Sequence, residues 1–79
     1  MRKYNGLPNV SGKIIEEYRL KNDMSREDLS KKLQLMGINI DRNNVYRIEK
    51  GKVLLKDFEL IAFCKILNIN YSDLKNLVD

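Results

Sequence analysis

The side chains best equipped for specific polar chemistry crowd into one short stretch, Arg42-Asn43-Asn44-Val45-Tyr46-Arg47-Ile48-Glu49. Arg carries a planar fork that pairs with two acceptors at once, and Asn offers a donor beside an acceptor, so both types can read the edges of nucleic-acid bases. If the stretch is helical, its apolar positions Val45 and Ile48 form one narrow buried stripe, and Arg42, Asn43, Tyr46 and Arg47 point elsewhere. Charge gathers in the same place. From Arg42 to Lys56 there are five basic residues (Arg42, Arg47, Lys50, Lys52, Lys56) against Glu49 alone, while the other 64 residues balance at ten against ten. A localised surplus of this kind fits contact with polyanionic phosphate. The competing reading is a solvated face whose Lys and Arg serve solubility only.

Other chemistries lack their parts. The chain has no His and one cysteine, Cys64, so neither a Cys/His metal site nor an internal disulfide can form, and no cofactor or metal is expected. Cys64 reads as a small core residue, or more distantly as a redox-sensing thiol. The acidic pairs Glu16-Glu17 and Glu27-Asp28 are sequence neighbours, which diverge by about 100° on a helix, and they read as solvated faces instead of paired catalytic carboxylates. With 79 residues there is room for one core and little for an enclosed substrate pocket, which favours a binding protein over an enzyme. Hydrophobic residues at 43% are enough to fold a domain. The greasiest run, Phe58 to Leu67, is interrupted by Glu59 and Lys65 and is half the length a membrane span needs. No apolar stretch follows the basic start of the chain, so nothing argues for export, and the expected compartment is the cytoplasm.

Five helices must position the polar stretch. Asn9 can cap a first helix over about 10–22, with Ile14, Ile15 and Tyr18 at helical spacing. Ser25 followed by Asp28 predicts a capped second helix over about 26–35, with Leu29 and Leu33 inward. Gly37 stops it, and Ile38 and Ile40 give the connector two apolar anchors. Asp41 caps the third helix, about 42–49, which Gly51 ends. A fourth, about 56–67, places Leu60, Phe63, Cys64 and Leu67 on one stripe, yet Phe58, Ile61, Ala62 and Ile66 are apolar too. Such a helix either fills the centre or shares a second face with a partner. Asn70 opens a last helix over about 71–77. The result is an all-α bundle over 9–79 behind a loose arm, 1–8, with Asp79 a loose end.

Four segments, in order, resemble the lambda-repressor-like, Cro/XRE-type helix-turn-helix family. They are Gly12-x-x-Ile15-x-x-Tyr18-Arg19, Met24-Ser25-Arg26-Glu27-Asp28-Leu29, Val45-Tyr46-Arg47-Ile48-Glu49-Lys50-Gly51, and Leu60-x-x-Phe63-Cys64-x-x-Leu67-x-Ile69-Asn70-x-x-x-Leu74. The resemblance implies a compact five-helix bundle that binds double-stranded DNA, with helix three in the major groove and helix two across the backbone. By position it implies base contacts from Arg42, Asn43, Tyr46 and Arg47, and phosphate contacts from Arg26, Lys50 and Lys52, with Asn44 and Lys56 weaker candidates. Arg26 stands where the family usually has Gln. Arg19 and Glu49 fall where the family forms a partly buried ion pair, with Arg19 on phosphate as the alternative. Tyr46 has its own alternative, packing at the rim. The chain departs from the family between Leu33 and Val45, where the connector is several residues longer and must bulge or extend a helix. It also lacks the usual Pro or Ser before helix four, leaving Lys56 at the capping position with Asp57 one residue late.

Two-fold symmetry suits a palindromic site, so a homodimeric transcriptional regulator, most simply a repressor, is the first expectation. Its dimer surface is expected at Phe58, Ile61, Ile66, Leu77 and Val78, unless these fill the core. The second expectation is an antitoxin or anti-repressor-like module whose main ligand is a partner protein and whose DNA binding is secondary.

Overall fold

The computed structural model describes residues 6–78, so most of the expected arm and Asp79 lie outside the described residues. Its regular elements are α1 (Gly12–Lys21), α2 (Arg26–Leu35), α3 (Arg42–Glu49), α4 (Asp57–Leu67) and α5 (Tyr71–Lys75). The bounds of α2 and α3 are the expected ones because both ends of each are written in local chemistry. Ser25 Oγ accepts from the Asp28 amide at 3.0 Å, and Asp28 returns a carboxylate oxygen to the Ser25 amide at 3.2 Å. The Ser25 amide bond favours the ionised carboxylate and holds the Asp28 pKa below its usual value. Asp41 Oδ1 accepts the Asn44 amide at 2.8 Å in the same way. At the C-terminal ends Gly37 and Gly51 take φ of +82° and +71°. That conformation lets Ile38 donate back to Leu33 O at 3.0 Å and Lys52 to Arg47 O at 2.9 Å, satisfying carbonyls the helix leaves open.

The long connector after α2 bulges without lengthening either helix. Ile40 is buried and Ile38 half-buried against the core. Ser30 Oγ donates to Ile40 O at 2.8 Å, which fixes the connector to the back of α2 just before α3 begins.

The first helix departs from expectation. It starts at Gly12, two residues late, with Ser11 in the cap position and making no side-chain cap bond. Asn9 does more than cap. Its Oδ1 accepts the Gly12 amide at 2.9 Å, while its Nδ2 donates to Ile48 O at 3.2 Å and Val53 O at 2.8 Å. One buried carboxamide therefore joins the start of α1 to the last turn of α3 and to the loop beyond it. Asn9→Ala strips partners from two carbonyls and one amide, and is expected to destabilise the fold by about 2–3 kcal/mol. Urea denaturation checks this, with a lower midpoint at unchanged slope as the expected result.

Ile15, Leu29, Leu33, Val45, Phe63 and Leu67 are fully buried and form the core between α1, α2, α3 and α4. The last helix ends at Lys75, two residues earlier than expected, and buries no residue of its own. It is held instead through Tyr18, whose hydroxyl donates to Asp73 and accepts from the Asn70 amide. The neighbouring carboxylate raises the Tyr18 pKa. On α4 the buried line runs through Ala62, Phe63 and Leu67, with Leu60 and Cys64 half-buried. Burial pushes the Cys64 thiol pKa up, against the thiolate a redox sensor needs. Lys56 caps α4 only in part: its amide reaches Glu59 Oε1 at 2.8 Å. Of the expected dimer-surface residues, Phe58, Ile61 and Val78 are exposed; Ile66 packs on the core and Leu77 is half-buried.

Candidate nucleic-acid interface

Local sequence divides α3 into an anchored face and a free one. Val45, Ile48 and Glu49 are buried, whereas Arg42, Asn43, Asn44, Tyr46 and Arg47 are all exposed. Lys50, Lys52 and Lys56 follow on the surface beyond it. All the residues read as base or phosphate contacts therefore reach solvent, with Arg26 the most sheltered, its side chain 33% exposed. A groove of about 570 Å³ runs between the N-terminal turns of α2 and α3, lined by Ser25, Arg26, Glu27, Arg42, Asn43 and Tyr46, with Arg19 behind them. The groove lies at the starts of two helices, whose positive dipole ends favour anions.

Glu49 holds this arrangement from inside. Its side chain is fully buried and accepts from Arg19 Nε at 2.7 Å, from Arg19 Nη2 at 3.3 Å and from Arg26 Nε at 2.8 Å. The Arg19 guanidinium is itself buried, and its Nη1 donates to Met24 O at 2.8 Å. That leaves little of it for a phosphate. Arg26 continues outward, with Nη2 3.2 Å from Glu16 Oε2, and Lys50 Nζ reaches the same oxygen at 3.5 Å. The hydrogen bond to Glu49 raises the Arg26 pKa, so this cation stays charged.

Glu16 is the residue that sequence reasoning missed. As half of an adjacent acidic pair it read as solvated, and Glu17 is exposed, but Glu16 is half-buried among Arg19, Arg26 and Lys50. Its spacing of three from Arg19 was the available signal. Arg26 is also more than an outward phosphate ligand, because Glu49 and Glu16 tie it to the scaffold. By contrast Arg42 is loosely placed, with Nη1 4.0 Å from Glu27 Oε1 and both side chains well exposed, a contact that water screens.

A short helix with a polar, cationic outer face, set against a preceding helix whose first turn borders the same groove, defines a DNA-binding regulator of the helix-turn-helix class. A helix-turn-helix family model matches residues 15–74, and the chain belongs to that family, of the lambda-repressor-like, Cro/XRE type. The family is regulatory and not typically enzymatic. No curated protein and no solved structure matches the chain. Among the described residues, no helix is long and apolar enough to cross a membrane.

Proposed function

We propose that the protein is a cytoplasmic repressor that binds a palindromic duplex operator as a homodimer, with α3 in the major groove and α2 across the backbone. The observation that carries this reading is the division of α3: Arg42, Asn43 and Arg47 stand outward while Val45, Ile48 and Glu49 fix the helix to the core. A reading helix must be held rigidly, since bidentate pairing with a base edge tolerates little displacement. Tyr46 lies on the same face. Arg26, Asn44, Lys50, Lys52 and Lys56 supply phosphate contacts around it.

A helix of eight residues is about 12 Å long and covers one half-site, so a second copy is needed for tight binding. Phe58, Ile61 and Val78 are the exposed apolar side chains we assign to that contact, with the partly buried Ile66 and Leu77 as further members.

Selection of bound sites from random duplexes tests the reading and is expected to return an inverted repeat. Affinity should fall with salt at a log–log slope of about −0.9 for each phosphate engaged. Arg42→Ala or Asn43→Ala should relax preference at one base position, by about 1–3 kcal/mol, whereas Lys50→Ala should weaken binding to every sequence alike. Equal losses on all sequences from all three variants would rule out α3 as the reading element.

A further inference from the structure

We infer that Tyr46 is a positioning residue whose ring gathers Arg26, Lys50 and Lys52 into one clamp for a backbone phosphate, and that it does not read a base. The inference rests on the DNA-binding reading above and assigns one side chain within it. The guanidinium carbon of Arg26 lies 5.0 Å from the centre of the Tyr46 ring, and the ammonium nitrogens of Lys50 and Lys52 lie 5.7 and 5.8 Å from it. Three cations from two places in the chain, the start of α2 and the end of α3, thus share one half-exposed aromatic ring. Like charges brought this close repel, so each needs a counterweight, and the ring's negative face supplies part of it. Glu49 and Glu16 hold Arg26, and Glu16 alone reaches Lys50. Lys52 has no carboxylate within ion-pair distance among the described residues. Charge in the cluster is left incompletely balanced, and an anion is the group that completes it.

Position favours phosphate over a base. Arg26 opens α2, the helix expected to lie against the backbone, and Lys50 and Lys52 flank the glycine that ends α3. Tyr46 bridges these two places, one turn beyond the N-terminal Arg42 and Asn43. A phosphate seated there meets three charge-assisted donors converging from two helix ends.

The test uses Tyr46→Leu and Tyr46→Phe in the full chain, with two probes: random-sequence duplex, and the best-bound duplex selected from it. Tyr46→Leu is expected to weaken both by about tenfold and to reduce the salt slope by about 1, leaving base preference unchanged at every position. Tyr46→Phe keeps the ring and should stay within about twofold of the parent. In the free protein, ring-current shifts on the Arg26, Lys50 and Lys52 side-chain protons should disappear in Tyr46→Leu and persist in Tyr46→Phe. Relaxed preference at one base position in Tyr46→Leu, with the salt slope intact, would overturn the clamp and make Tyr46 a reader. Equal losses in both variants would overturn it too, by moving the contact to the hydroxyl. If the parent binds neither duplex, the DNA-binding reading itself fails and the clamp fails with it. Ring-current shifts absent from the parent sink the clamp while leaving that reading standing.

Discussion

Replacing Glu49 by Ala is expected to lower the melting temperature by about 15–30 °C, the loss of about 3–5 kcal/mol that follows when a buried ion pair is left with one member. The geometry makes this site unusually exacting. Glu49 is fully buried and serves two guanidinium groups, one of them, Arg19, buried with it. Without the carboxylate, Arg19 keeps Met24 O and a 4.0 Å approach from Glu16, too little to balance a cation out of water. Arg26 loses its innermost anchor as well, so the N-terminal turn of α2 is released along with the end of α3. Glu49→Gln retains an acceptor but no charge and should fall between. Thermal denaturation followed by circular dichroism gives the ranking. An alanine variant as stable as the parent would show that the two arginines find other partners.

Gly12→Ala should be comparably damaging, by about 3 kcal/mol, although the same change in an exposed helix interior stabilises by close to 1 kcal/mol. The sign turns on packing. A β-carbon at Gly12 would sit 2.1 Å from Ile48 O and 2.9 Å from Glu49 O. Both obstacles are backbone in the last turn of α3, so no side chain can rotate out of the way. Either α1 backs off or α3 tilts. The Asn9 amide that grips Ile48 O resists the first, and tilting α3 displaces the outward side chains. Urea denaturation should therefore show the stability loss, and duplex affinity should drop for every sequence. A stable Gly12→Ala protein with parental affinity would mean the two helices slide freely.

Much of this was legible beforehand, and the pattern of what was not is physical. The ends of α2 and α3 could be read because Ser25, Asp28, Gly37, Asp41 and Gly51 act within a few residues of where they stand. The anchored stripe of α3 followed from spacing alone. The start of α1 was misplaced because Asn9 spends two of its three bonds on carbonyls 39 and 44 residues away, and nothing in the local sequence announces such partners. Glu16 was missed for the same reason, as Arg26 and Lys50 come to it only through the fold. The left-handed residue that closes α1 is Asp23, at φ of +52°, where a glycine would have been the plainer signal.

The separation of duties along α3 has an evolutionary consequence. Among the described residues, Arg42, Asn43 and Arg47 make no side-chain hydrogen bond to the scaffold, and the contact of Arg42 with Glu27 is a long one. Mutational drift at these three positions can proceed at little thermodynamic penalty, while Val45, Ile48 and Glu49 stay under constraint. On the proposed reading of α3, a lineage descending from this chain could be retargeted to new genomic addresses by a few codon changes, with no need to reinvent the frame that presents them.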